Sequence, residues 1–309
     1  MRKKAIMIVG PTAVGKTALS IKIAKLFNGE VISGDSMQIY RHLDIGTAKV
    51  TPTEMAGIPH HLIDICDLDQ RFTVHDFKEL AYQNMQQIWQ QNRLPMIVGG
   101  TGFYLNALRL NLSLGGQNTS EEDFSKRQYW QNYLQTHGAQ ALWEVLNQKD
   151  PVAAHKIPIN NERRVIRALE VIDKTGRLFS QQPVQKPLDV DFFVIGLTTN
   201  RMLLYQRIDQ RVDIMMQHGL LDEARYVYEH RNQAIQASKG IGYKEFFGYF
   251  EHQISLTAAI DLVKKNSRHY AKRQLTWFHN QMHDVQWFDL VQHPEQKLLI
   301  IQLLTEWLA

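Results

Sequence analysis

Gly10-Pro11-Thr12-Ala13-Val14-Gly15-Lys16-Thr17 follows the pattern G-x-x-x-x-G-K-[ST] without a gap, and no other stretch constrains the fold as tightly. A short apolar run over residues 5–9 precedes it and breaks at glycine, which reads as a buried parallel strand. Residues 17–27 follow with helical spacing, Ala18, Ile21, Ala24 and Lys25 recurring turn by turn. Glycines let the backbone wrap a phosphate group so that successive N–H groups face its oxygens. The new helix turns its positive end to the same anion. Lys16 adds a full charge, and the Thr17 hydroxyl can ligate Mg²⁺. The loop therefore specifies a polyphosphate, without specifying ATP.

The spacing predicts further strands over 30–33, 61–65, 94–98 and 192–197, and a last one over 285–288. A helix is predicted over 72–92, where Phe77, Leu80, Ala81, Met85, Ile88 and Trp89 share one side. Strands alternating with helices imply a parallel sheet covered on both faces. The pattern changes at Gly115-Gly116-Gln117-Asn118-Thr119-Ser120, which reads as a boundary. Residues 121–175 are polar and helical, and 181–189, with Pro183 and Pro187, read as a connector. After the strand at 192–197 the chain is mostly helical, over 202–217, 220–231, 243–251 and 255–280. The fold class is thus α/β, a P-loop-type parallel sheet core flanked by helices, with a helical insertion and a helical C-terminal part. Residues 1–115 and 191–309 form the core, and 116–190 the insertion.

The chain of 309 residues is 44% hydrophobic and 21% charged, enough to bury a sizeable core. The formal charge of +4 is mild and permits a nucleic-acid partner without requiring one. With one cysteine, Cys66, no intrachain disulfide or cysteine zinc site forms, and Cys66 reads as an apolar filler. The basic start and apolar run break too early for a signal peptide, and no segment has the length of a membrane span, so the expectation is the cytoplasm. Nothing demands a protein partner or more than a monomer. His279 and His283 are four apart without a third ligand in view, which argues against a metal site.

In an NTPase the partner of such a loop is an apolar strand ending in Asp. Here the strand at 94–98 ends in Gly99-Gly100-Thr101-Gly102, and no Asn-Lys-x-Asp motif is present, which argues against a hydrolytic switch. Asp35 lies just past the second strand, where ligands of open α/β sheets bind, although capping a turn is the other common use of such an Asp. Asp35 belongs to the run Gly34-Asp35-Ser36-Met37-Gln38-Ile39-Tyr40, followed by Asp44-Ile45-Gly46-Thr47-Ala48-Lys49. Further blocks are Pro59-His60-His61-Leu62-Ile63-Asp64, Gly99-Gly100-Thr101-Gly102-Phe103-Tyr104 and Arg163-Arg164-Val165-Ile166-Arg167-Ala168-Leu169-Glu170. Ile241-Gly242-Tyr243-Lys244-Glu245 and Tyr270-Ala271-Lys272-Arg273-Gln274-Leu275-Thr276-Trp277-Phe278 complete the set. Together, in this order and spanning nearly the whole chain, they resemble the bacterial tRNA dimethylallyltransferase family. The chain departs from the family pattern at Gly34, at Lys239-Gly240 and at Ile159.

The resemblance implies transfer of a dimethylallyl group from dimethylallyl diphosphate to the exocyclic N6 amine of the adenine 3′ of the anticodon. An adenine amine is a weak nucleophile that loses a proton as it attacks, so a positioned carboxylate is useful, and Asp35 is the candidate base. The loop over residues 10–17, Mg²⁺ on Thr17, and Arg207 and Arg211 would hold the diphosphate. The two arginines are four apart on one predicted helix; solvated surface positions are the other reading. Thr101 is placed to fix the adenine or the base, with a turn hydroxyl as the alternative. Ser36, Met37 and Gln38 are the expected contacts to an adenine extruded from the anticodon stem-loop. Arg163, Arg164 and Arg167, with Arg127, form one candidate surface for the RNA backbone. Lys264, Lys265, Arg268, Lys272 and Arg273 form another, on a stretch from 262 to 280 that has no acidic residue. Two other classes of function fit the phosphate loop alone: a small-molecule kinase, and a non-catalytic RNA-binding protein that senses nucleotide. Neither needs a carboxylate base beside the phosphate site.

Overall fold

The computed structural model describes residues 2–114, 121–182, 185–234 and 236–309, with no side chains for 121–124. The boundary expected at Gly115-Gly116-Gln117-Asn118-Thr119-Ser120, and Pro183 of the connector, lie outside the described residues. The strands are β1 (Lys3–Val9), β2 (Gly29–Ser33), β3 (His60–His61), β4 (Leu94–Gly99), β5 (Val190–Leu197) and β6 (Gln286–Phe288). They form one sheet in the order β3-β2-β4-β1-β5-β6, with every neighbouring pair parallel. The helices are α1 (Lys16–Phe27), α2 (Pro52–Met55), α3 (Val74–Gln90), α4 (Gly102–Arg109), α5 (Glu121–Lys149), α6 (Pro151–Lys156) and α7 (Glu162–Thr175). Then follow α8 (Arg201–Gln217), α9 (Leu220–Glu229), α10 (Phe247–Phe250), α11 (Leu256–Gln281) and α12 (Gln296–Leu308).

Parallel strands must be covered on both faces, and β1 shows how. Ala5, Met7 and Val9 point to the core that also holds Ile97, Phe77, Leu105, Val263 and Phe278. Ile6 and Ile8 point to the opposite core, with Leu19 and Ile23 of α1 and Ile300 and Leu304 of α12. Truncating a wholly buried residue such as Ile8 to Ala costs about 2–5 kcal/mol. Helix α3 starts at a capping box, Thr73 accepting from the Asp76 N–H while Asp76 accepts from the Thr73 N–H.

Three expectations need correction. The strand predicted over 61–65 is only His60–His61, because Leu62 (φ 58°) and Asp64 (φ 55°) turn left-handed and stop the ladder. The helix predicted over 243–251 is a 3₁₀ turn at Lys244–Phe246 followed by the single turn α10, ended by His252 at φ 59°. Helices α2, α4 and α12 have no counterpart in the sequence reading.

The chain divides into two compact units, Met1–Leu110 with Pro187–Ala309, and Asn111–Lys186. The second unit has its own apolar cluster, including Trp130, Leu142, Leu146, Ile157, Val165 and Leu169. Its long helix α5 breaks at Gly138, which takes φ 81°. Among the described residues no helix is long and apolar enough to cross a membrane.

Candidate active site

The phosphate loop leaves β1 at Gly10, whose φ is 140° and where an added Cβ would lie 2.4 Å from the Leu197 carbonyl oxygen. Only glycine fits such a close backbone approach. Ala13 at φ 63° and Gly15 at φ 98° curl the loop before α1 begins at Lys16. The Lys16 ammonium donates to the carbonyls of Gly10 (3.0 Å) and Pro11 (2.6 Å), so it lies across the loop's mouth. From α8, Arg207 Nε donates to the Ala13 carbonyl at 2.9 Å, and Arg211 Nη1 reaches Thr12 Oγ1 at 3.4 Å. Both arginines expected at the diphosphate thus gather on the loop. Thr17 is exposed in the first turn of α1, and Val14 is buried under the loop.

Asp35 follows β2 on the same edge of the sheet. Its Oδ1 accepts from the Met37 N–H at 2.9 Å, which fixes the carboxylate at the head of the turn. Burial raises its pKa, and the Met37 bond and the charges of Lys16 and Arg211 offset that only in part. Burial lowers Lys16 to about 8, against the pull of Asp35 and with a further push from Arg211. The phosphate loop and Asp35 therefore lie close enough to feel each other's charge. A base raised toward the working pH takes up a proton more readily.

Gly99 brings the loops after β2 and β4 together, since a Cβ there would lie 2.3 Å from the Gly34 carbonyl oxygen. The contact sets Thr101 beside Ser36: Thr101 Oγ1 accepts from the Ser36 N–H at 3.1 Å and lies 3.4 Å from Ser36 Oγ. Thr101 makes no side-chain cap to α4, which leaves its hydroxyl to the site. Ser36 and Met37 are partly exposed. Gln38 is held internally: its Oε1 accepts from Ser33 Oγ at 3.0 Å and its Nε2 donates to the carbonyls of Thr47 (3.2 Å) and Ala48 (3.3 Å).

The basic candidates separate into distinct settings. Lys264 pairs with Asp213 at 2.6 Å and Arg268 with Asp209 at 2.5 Å, both acids on α8. Lys265, Lys272 and Arg273 are exposed on α11. In the second unit Arg163 and Arg164 are exposed in the first turn of α7. Arg127 and Arg167 instead both bond to the buried Glu170, Arg127 through Nε at 2.5 Å and Nη2 at 3.1 Å. His60 bonds the Ile58 carbonyl, His61 pairs with Glu30, and His279 packs on Trp287 at 4.4 Å. Cys66 is buried in the core, where burial pushes the thiol up.

Two site residues, Glu223 and Gln274, have no role in the sequence reading, and a third, Tyr270, enters it only as an aromatic of the C-terminal helix. Glu223 on α9 accepts the N–H groups of Asp44, Ile45 and Gly46 and the Tyr243 hydroxyl, so it holds the loop that in turn holds Gln38. Tyr270 interacts with Thr101 and Gln274. Gln274 bonds the phosphate loop directly, accepting from the Thr12 N–H at 3.1 Å. A polar residue on the buried stripe of α11, among Ala271, Val263 and Phe278, is the signal that marks Gln274.

The chain is similar over nearly its whole length to proteins of one family. Residues 38–281 match the family described as IPP transferase. The chain is 56% identical over 305 residues to the tRNA dimethylallyltransferase of Limosilactobacillus reuteri (strain DSM 20016), covering 99% of each. It is 57% identical over 301 residues to that of Latilactobacillus sakei subsp. sakei (strain 23K), covering 97% of this chain and 96% of the relative. The fold is similar to the tRNA isopentenylpyrophosphate transferase of Bacillus halodurans, with a TM-score of 0.73 and 46% identity over 99% of this chain and 96% of that one. A eukaryotic dimethylallyltransferase acting on tRNA aligns at a TM-score of 0.79 and 32% identity, over 94% of this chain and 75% of that one. The chain belongs to the IPP transferase family.

Proposed function

We propose that this tRNA dimethylallyltransferase moves a dimethylallyl group from dimethylallyl diphosphate to the exocyclic N6 amine of the adenine 3′ of the anticodon. The observation that supports the reading is that the phosphate loop and the turn of Asp35 leave parallel strands at the same end of the sheet and are joined there, Gln274 bonding Thr12 and Gly100 while Thr101 bonds the Ser36 N–H. In the step, the bond from N6 to the allylic carbon forms and the carbon–oxygen bond to diphosphate breaks. The N6 proton passes to Asp35. The leaving diphosphate gains negative charge, which the N–H groups of the loop, Lys16, Arg207 and Arg211 stabilise. Thr101 holds the turn that carries Asp35 and offers its hydroxyl to the adenine.

Among the described residues no three His, Cys, Asp or Glu side chains form a metal cluster. Thr17, exposed at the helix start, fits a cation held mainly by diphosphate oxygens, as Mg²⁺ usually is. Bound there, Mg²⁺ supplies positive charge to the leaving group. Ser36 and Met37 face the extruded adenine and its neighbours. Gln38, tied to Ser33, Thr47 and Ala48, supports that turn rather than reading a base edge. Lys272 and Arg273 on α11, and Arg163 and Arg164 on α7, contact the RNA backbone of the anticodon stem-loop. Arg127 and Arg167 shape the second unit through Glu170.

The test is incorporation of radiolabelled dimethylallyl diphosphate into unmodified tRNA, with Mg²⁺ present and ATP absent. Label is expected in the tRNA, and none when the adenine 3′ of the anticodon is replaced by guanine. Folded protein that transfers no label, or labels both tRNAs equally, overturns the reading. Replacing Lys272 and Arg273 with Ala weakens tRNA binding and lowers its salt dependence by about two phosphate contacts. An unchanged salt slope removes α11 from the RNA surface.

A further inference from the structure

Gln274 is joined to both halves of the site through a single side chain. Its Oε1 accepts from the Thr12 N–H of the phosphate loop, and its Nε2 donates to the Gly100 carbonyl at 2.9 Å. Gln274 is only 6% exposed. A Cβ on Gly100 would lie 2.2 Å from Nε2, so the glycine leaves the space that the amide fills. One helical turn earlier, Tyr270 interacts with Gln274 and with Thr101, whose hydroxyl holds the turn of Asp35. These contacts link the diphosphate cradle to the base-bearing turn over a path independent of the sheet. Of the common side chains of this length, only glutamine offers one donor and one acceptor at its tip.

We propose that Gln274 is a positioning residue that sets the spacing between the phosphate loop and the Gly99–Thr101 turn, and so aligns the allylic carbon with the amine that Asp35 deprotonates. The proposal rests on reading the two loops as one transferase site. Transfer by the unaltered enzyme tests that reading, and the variants below test the spacing, so the two can fail separately. A shift of about 1 Å between reacting groups lowers turnover by roughly 100-fold.

Gln274→Glu keeps the shape and the acceptor but loses the donor to Gly100, setting a carboxylate against a carbonyl. Gln274→Ala leaves room for water, which satisfies both backbone groups without fixing their distance. In both, kcat at saturating donor and tRNA is expected to fall roughly 10- to 100-fold, with tRNA Kd within about twofold of the parent. Lowering the pH protonates the new carboxylic acid, which regains a donor. Relative to the parent, Gln274→Glu therefore recovers turnover toward acid, whereas Gln274→Ala does not. If Gln274→Glu does not fold, Gln274→Ala carries the test alone. Gly100→Ala supplies an independent arm: it should impair the parent more than the Gln274→Ala background, where the obstructing amide is gone. Parental kcat in the folded fraction of Gln274→Ala, or a Gly100→Ala effect equal in both backgrounds, overturns the proposal.

Discussion

Glu30 enters β2 and Asp35 follows its end, and the protein surrounds these two carboxylates differently. Glu30 is 4% exposed at its side chain and bonds to His61 at 2.6 Å and to Arg93 at 2.5 Å. Burial alone would raise it, but those two partners outweigh burial and hold it below the ordinary carboxylate range. Asp35 has cations nearby, yet burial wins and its pKa rises. Glu30 meets its cations at hydrogen-bonding distance, whereas Asp35 bonds only backbone N–H groups and feels Lys16 and Arg211 through space. One acid is fixed in its charged form at the closed end of the sheet. The other keeps its proton affinity at the end where ligands bind. The pairing geometry, more than burial as such, separates a structural acid from a reactive one.

The largest break in this comparison comes from Asp35→Asn. Single-turnover transfer should fall by about 10²–10⁴-fold, the usual contribution of a general base. The tRNA Kd should stay near the parent value, and unchanged turnover would remove Asp35 from the chemistry. Glu30→Gln should do the reverse, leaving turnover of folded protein intact and lowering stability by roughly 2 kcal/mol in denaturant titration. That is less than for a fully buried pair, because His61 and Arg93 are 27% and 38% exposed.

Acid titration sharpens the contrast. Glu30 has a lowered folded pKa, so its stabilisation is full above the unfolded value near 4 and is lost as pH falls through the folded value. Asp35 has a raised folded pKa, so its contribution is present below that unfolded value and is lost as pH rises through the folded one. Melting curves against the parent should therefore diverge below about pH 4 for the Glu30 variant and above about pH 4 for the Asp35 variant, in opposite directions. Parallel curves would mean that the two acids do not differ.

The smallest effect concerns Lys16, Asp35's charged neighbour. With its pKa lowered to about 8, Lys16 is partly neutral above that pH, and a bound diphosphate should restore its charge. Calorimetry of inorganic diphosphate in buffers of different ionisation enthalpy should show more proton uptake by the parent than by Lys16→Arg at about pH 9 and the same by both at about pH 6, the ligand's own protons cancelling in the comparison. Equal uptake by the two proteins at the higher pH would place the ligand away from Lys16.

The legible parts of the site are those whose chemistry is local. The phosphate loop sits in a strand, a turn and a helix that are contiguous, and Arg207 and Arg211 follow from a four-residue spacing on α8. Gln274 stands out as a polar residue on the buried stripe of α11, but its partner Thr12 is 262 positions away, so the sequence does not say what the amide bonds. The acid-free stretch of α11 has counterions that its own sequence does not reveal, for a related reason. Lys264 and Arg268 take their counterions from another helix, at Asp213 and Asp209. Helix α4 was hidden by the glycines at its start, which read as a turn. Helix α12 was hidden because Leu298, Leu299, Ile300, Ile301, Leu303 and Leu304 blur any helical period. The strand over 61–65 failed on two left-handed residues, Leu62 and Asp64, that β propensity does not anticipate.

Strand β1 lies between β4 and β5, and this placement has a consequence for the order in which a ribosome makes the molecule. About 90 residues, most of them in the second unit, separate Gly99 at the end of β4 from Val190 at the start of β5. At ~5–20 residues per second, synthesis takes roughly 5–20 s to cross that interval. Throughout it, one edge of the nascent sheet lacks its strand, and Gly10 lacks the Leu197 carbonyl against which it is packed. The phosphate loop is thus among the first segments to be translated and among the last to acquire its final surroundings.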